Sequence, residues 1–195
     1  MCAGCMACVD ACPTGAVRVV PGIGCYTPEV DQTLCVDCGR CTRVCQQLHP
    51  ADAKEPLAWY QGWAKSSDER ASSSSGGFAS AIARSFLTSG GAVCSCAFEK
   101  GEFRFAVVEH PDEVDKFRGS KYVKSDPSGA YKAVRELLAG GRKVLFIGLP
   151  CQVSAMRNYI DNRLAGLLYT IDLICHGTPS PQLLEMFLRE NSIAL

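Results

Sequence analysis

The stretch Cys2-Ala3-Gly4-Cys5-Met6-Ala7-Cys8-Val9-Asp10-Ala11-Cys12-Pro13 and its echo Cys35-Val36-Asp37-Cys38-Gly39-Arg40-Cys41-Thr42-Arg43-Val44-Cys45 share one spacing, C-x2-C-x2-C-x3-C. Each copy is too short to bury a core by itself, so metal is expected to order this region. Thiolates so spaced wrap a 4Fe-4S cubane, and the fourth cysteine of each run reaches across to the other run's cluster. The expected ligand sets are therefore Cys2, Cys5, Cys8 and Cys45 for one cluster, and Cys35, Cys38, Cys41 and Cys12 for the second. Zinc also takes pairs of C-x2-C, but its sites use four ligands and rarely three evenly spaced cysteines plus a fourth. Two departures stand out: Gln46 follows Cys45 where Pro13 follows Cys12, and Cys2 is near enough to the terminus that fraying is expected there.

Working outward, nine of the thirteen cysteines fall between Cys2 and Cys45, and the other four, Cys94, Cys96, Cys151 and Cys175, are scattered. Cys25, between the runs, has no partner spacing and is expected to be a buried thiol. Met1 leads into a cysteine rather than a basic, apolar leader, so a cytoplasmic, reducing location is expected, where such thiols bind metal instead of forming disulfides. No apolar run reaches the roughly 18 residues that span a bilayer. Lys+Arg and Asp+Glu both count 20, which leaves no charge surplus to attract nucleic acid or an anionic membrane.

The expected fold is an α+β ferredoxin-type module over residues 1–50, a polar connector over 51–75, and an α/β domain with a mostly parallel sheet over 76–195. In the last, the apolar pattern predicts a helix from Phe78 to Leu87, strands at Ala92–Phe98 and Phe103–Val108, and a helix starting at Asp126-Pro127 and stopped by Gly140. A strand at Lys143–Ile147, a helix at Cys151–Tyr159, a buried strand at Leu167–Ile174 and a helix capped by Ser180 and Pro181 complete it.

Cys151 follows a strand and opens a helix, where unpaired N–H groups favour a thiolate or an anion. Cys175 stands in the same relation to the next strand, beside His176, a candidate proton carrier. Both thiols could face one crevice at the carboxyl ends of parallel strands, or be small core residues beside tight turns. Cys94 and Cys96 share a strand face without making a cluster, and His49 and His110 suit the surface. The segment Ser72 to Gly77, just before a helix, suits a phosphate, although a loose linker has the same composition. Neither a G-x-G-x-x-G fingerprint nor a P-loop is present.

Ser74-Ser75-Gly76-Gly77-Phe78, Gly119-Ser120-Lys121-Tyr122-Val123, Gly148-Leu149-Pro150-Cys151-Gln152 and Asp172-Leu173-Ile174-Cys175-His176-Gly177, in that order, resemble the coenzyme F420 hydrogenase/dehydrogenase beta-subunit family. The resemblance covers essentially the whole chain. It implies an iron-sulfur flavoprotein oxidoreductase in which FAD passes electrons between the clusters and a redox partner protein or a soluble two-electron acceptor such as F420. FAD would bind Ser74, Ser75, Gly76, Gly77, Gly119, Ser120, Lys121 and Tyr122, with Cys151, Cys175 and His176 carrying the chemistry. Family members continue past Cys-His-Gly with further cysteines, so the chain is expected to be truncated at Leu195, without the means to complete a third cluster. The alternative is a non-catalytic ferredoxin-type protein that docks on a separate catalytic protein.

Overall fold

The computed structural model describes residues 1–24, 26–52 and 54–193; Cys25, expected as a buried thiol, lies outside them. Helix α1 (Ala7–Ala11), the antiparallel hairpin β1 (Val17–Pro21) and β2 (Tyr26–Val30), and α2 (Arg40–Arg43) form the cysteine-rich part. After it come α3 (Ser67–Ala71), α4 (Phe78–Thr88), β3 (Ala92–Glu99), β4 (Glu102–Val108), a 3-10 turn (Pro111–Phe117), α5 (Ala130–Ala139), β5 (Val144–Gly148), α6 (Pro150–Tyr159), β6 (Leu168–Asp172) and α7 (Pro181–Glu190). Strands β3 to β6 make one sheet in the order β4-β3-β5-β6, with β3, β5 and β6 parallel and β4 antiparallel at one edge. No helix among the described residues is long and apolar enough to cross a membrane.

Period-two alternation sends β3 and β5 side chains to both faces, and both are covered. On one face Ala92, Cys94, Val144 and Phe146 meet Tyr131, Val134 and Leu138 of α5 and Val153 and Met156 of α6. On the other, Val93, Leu145 and Ile147 meet Ala83 and Leu87 of α4 and Val114 of the 3-10 turn. Truncating a fully buried member such as Leu138 to alanine costs about 2–5 kcal/mol.

The cysteine-rich part does not stand apart. Ala7, Ala11 and Val44 join the same core as α5 and α6, so the α/β domain supplies the apolar surface that the cysteine runs lack. Asp10, only 5% exposed, extends its carboxylate to the start of α5, where Oδ1 accepts from Gly129 N (2.7 Å) and Oδ2 from Tyr131 N (3.1 Å) and Lys132 N (3.3 Å). The helix predicted from Asp126-Pro127 therefore begins later. Asp126 turns the chain through its bond from Ser128 N, Gly129 takes a left-handed φ of 85°, and the cap comes from a residue more than a hundred positions away.

Two further expectations are corrected. The strand expected over Leu167–Ile174 ends at Asp172 and is a half-exposed edge strand rather than a buried one, with Ile174 91% exposed beyond it. An apolar run alone does not distinguish a central strand from an edge. The connector contains α3, whose cap Ser66 accepts from Glu69 N at 3.2 Å.

Candidate cluster sites and cofactor cleft

In both cysteine runs the second and fourth residues after the first cysteine are left-handed: Gly4 (φ 64°) and Met6 (φ 60°), then Asp37 (φ 50°) and Gly39 (φ 66°). Such residues turn successive N–H groups inward to make an anion-binding nest, and three of the four are of types that tolerate it. Met6 does so against its preference, which marks the conformation as imposed by the motif. Gly4 has a second reason, since a Cβ there would lie 2.7 Å from the Tyr26 ring. Gly4 N points at Cys2 Sγ (3.4 Å) and Ala16 N at Cys12 Sγ (3.2 Å). Cys2 is half-buried and bridges to Tyr26, so the end expected to fray is held.

Burial pushes the Cys5 thiol up to about 11, and charge on Cys151, Cys2 and Cys45 adds to the shift. Cys8 rises to about 12, again through burial first and then through Cys5, Cys2 and Cys45. Cys45 of the second run thus adds to the upward shift of both Cys5 and Cys8. Four thiols that repel one another as thiolates, two of them strongly desolvated, suit a polynuclear iron centre, whose positive metal ions remove the repulsion. Cys35 and Cys38 are exposed, and Thr14's hydroxyl leads the contacts that hold the Cys12 thiol low. Cys12 and Cys41, like Cys2, Cys5, Cys8 and Cys45, are half-buried. Among the described residues, no three His, Cys, Asp or Glu side chains converge as ligands of a single metal ion.

A cleft of about 680 Å³ opens at the carboxyl ends of β3 and β5, a size suited to a cofactor and a place where parallel sheets hold ligands. Its two rims come from distant segments joined by a hydrogen bond from Ser120 N to Ser74 Oγ (2.9 Å). Glu69 fixes both, since its carboxylate pairs with Arg118 (3.2 Å) and Arg84 (3.4 Å) while its carbonyl accepts from Ser73 Oγ (2.7 Å). Gly77 at φ 72° opens α4; a Cβ there would meet Ala64, the Glu69 carbonyl and Ser73, all at 3.2 Å. Gly119 has open space around it. Lys121 lines the cleft, but its ammonium already donates to Phe117 O (2.8 Å) and Arg118 O (2.9 Å), leaving at most one N–H for a ligand. Burial lowers its pKa, partly countered by Cys96. Tyr122 stands exposed at the mouth.

Ser74, Ser75, Gly76, Gly77, Gly119, Ser120, Lys121 and Tyr122 all line this one cleft, as do Cys175 and His176. Cys151 does not share it. Gln152 faces the cleft, and one helical step of about 100° turns Cys151 to the other side, where Lys124 Nζ lies 3.0 Å from its Sγ. The single crevice expected for Cys151 and Cys175 is thus corrected to two neighbouring positions. Cys94 is wholly buried core, and His49 and His110 are exposed. Asp10, Glu69, Lys124 and Tyr131 were not expected as site residues. Among them only Asp10, inside a cysteine run, stands in a place that could have suggested a role.

Residues 59–131 match the family described as coenzyme F420 hydrogenase/dehydrogenase, beta subunit N-term, and residues 141–195 match its C terminus; residues 1–47 match a 4Fe-4S dicluster domain. A component of the F(420)H(2) dehydrogenase of Methanosarcina mazei is 28% identical over 186 residues, 90% of this chain and 53% of that protein. A component of the ion-translocating oxidoreductase complex of Methanosarcina acetivorans is 41% identical over 46 residues, 24% of this chain and 16% of that protein. A chain of the F420-reducing [NiFe] hydrogenase complex from Methanosarcina barkeri has a similar fold, with a TM-score of 0.55 and 20% identity over 66% of this chain and 47% of that one. The chain thus spans about half the length of its F(420)H(2) dehydrogenase relative. With both halves of the family pattern matched on either side of one cleft, the chain belongs to the coenzyme F420 hydrogenase/dehydrogenase beta-subunit family and carries a 4Fe-4S dicluster domain.

Proposed function

We propose that this protein carries electrons inward through two 4Fe-4S clusters to FAD in the cleft, and that a soluble two-electron acceptor such as coenzyme F420 exchanges them there. Bound in the cleft, the flavin supplies the conversion between single electrons and pairs. The observation that carries the proposal is the layout: Cys35 and Cys38 exposed to a partner, Cys2, Cys5, Cys8 and Cys45 half-buried, and the paired residues 124–125 and 151–152 beside a cleft of cofactor size. Cys35, Cys38, Cys41 and Cys12 hold the outer cluster, where a redox partner protein can reach it. Cys2, Cys5, Cys8 and Cys45 hold the inner one. Ser74, Ser75, Gly76 and Gly77 offer hydroxyls and backbone N–H groups before α4 for the pyrophosphate. Gly119, Ser120 and Lys121 would border it, the ammonium offering its remaining N–H to negative charge, and Tyr122 would pack on a ring. Cys175 and His176 sit where an acceptor would approach, the imidazole able to hold or pass a proton.

Titrating FAD into the anaerobic parent protein, followed by flavin fluorescence, is expected to saturate. The Ser74→Ala, Lys121→Ala double variant is expected to bind at least about tenfold more weakly, or about 1.4 kcal/mol. Equal binding by both would place the flavin elsewhere, and no binding by the parent would favour a protein that only carries electrons to a separate catalytic partner.

A further inference from the structure

Lys124 is only 6% exposed, and among the described residues its ammonium has no carboxylate partner; its contact is Cys151 Sγ at 3.0 Å. Burying an ammonium without an anion is costly, so the site is built for negative charge from another source. The backbone holds it in place, as Lys124 N donates to Pro179 O (2.9 Å). The next residue of each segment pairs as well, Gln152 Nε2 donating to Ser125 Oγ at 3.1 Å. Two adjacent rungs therefore form a wall. Ser125 and Gln152 line the cleft, whereas Lys124 and Cys151 do not and lie on the side where α6 packs against α1 of the first cysteine run. That second direction follows from what surrounds Cys151. Its helix α6 packs against α1, and Cys5 lies on the core that the two helices share; Tyr131 donates its hydroxyl to Cys5 O at 2.6 Å, and the Tyr26 ring covers Gly4. The Tyr26 hydroxyl is itself buried with no hydrogen-bond partner among the described residues.

We infer that Lys124, seated on Cys151 between the inner thiols and the cleft, is a positioning residue whose fixed positive charge raises the reduction potential of the inner cluster above that of the outer one. The inference rests on the inner cluster being held by Cys2, Cys5, Cys8 and Cys45. When that cluster takes one electron from its donor it gains one negative charge, and no bond forms or breaks. A buried cation beside it stabilises the reduced form more than the oxidised, and the low local dielectric keeps the effect from being screened. The outer set, with Cys35 and Cys38 open to solvent, is screened from such a charge. Electrons arriving from outside therefore run inward, toward the cleft.

The test is a reductive titration of the iron-loaded protein, followed by electron paramagnetic resonance, with the inner signal assigned as the one lost in Cys8→Ala. Lys124→Met is expected to lower the reduced-to-oxidised ratio of the inner cluster about tenfold at fixed potential, equal to about 59 mV for a one-electron couple. Lys124→Arg should stay within about threefold of the parent, and the outer cluster should not move. An inner potential unchanged in a fully iron-loaded Lys124→Met, or both clusters shifting together, overturns the inference while leaving the inner cluster standing. A parent holding only one cluster overturns both. If Lys124→Met loses the inner cluster while Lys124→Arg keeps it, the need for charge is shown by loading; if Lys124→Arg loses it too, the residue is packing and the inference falls.

Discussion

Asp10 occupies the spacer between Cys8 and Cys12, where a cluster motif asks nothing of the side chain, yet it is the residue that ties the cysteine runs to the sheet. Its carboxylate serves three N–H groups at the start of α5, a position where the positive helix end favours an anion. Tyr159 donates its hydroxyl to Asp10 O (3.2 Å) and Tyr131 donates its own to Cys5 O (2.6 Å), so the inner thiols are braced from α5 and α6. Asp10→Ala is expected to cost about 2 kcal/mol, the upper end for loss of a cap. Urea denaturation checks this, with Asp10→Asn falling between Asp10→Ala and the parent. A midpoint unchanged in Asp10→Ala would mean that the cap is solvated and unimportant. Long-range contacts of this kind leave no local periodicity, so Asp10 was marked only by its place inside a cysteine run and Lys124 not at all. Lys124 has the look of any solvated lysine until the fold encloses it.

Elements whose signals are local were legible. Gly140 ends α5, Ser180 caps α7 by accepting from Leu183 N (3.4 Å), and the repeat of the two cysteine runs reappears as matching left-handed residues and matching short helices α1 and α2. The order of strands in the sheet was not, because β6 has the apolar composition of an interior strand and the chain carries no mark of where the sheet stops. The cofactor cleft was half legible: its residues were indicated by resemblance, whereas the Glu69–Arg118 brace and the occupied Lys121 ammonium depend on the folded geometry. Crossed ligation is expected of the paired runs and can be tested at Cys12, which lies in the first run but is assigned to the second run's cluster. Cys12→Ser should lose the outer cluster and keep the inner one, with iron falling from about eight to about four per chain. Loss of the inner signal instead would mean that each run closes on itself.

Across the whole molecule, the three layers of the α/β part and the cysteine runs form one body through a shared core, with the cleft opening on the same body. On the proposed function, two one-electron clusters and one two-electron flavin give a capacity of about four electrons per chain. The protein should therefore be loaded anaerobically with iron, sulfide and FAD, freed of excess by gel filtration, and titrated with a low-potential reductant while cluster and flavin absorbance are recorded. Uptake of about four electron equivalents per chain, with flavin bleaching in the same titration as the clusters, is the predicted result. Uptake of about two equivalents with no flavin retained would contradict it and leave a carrier of single electrons.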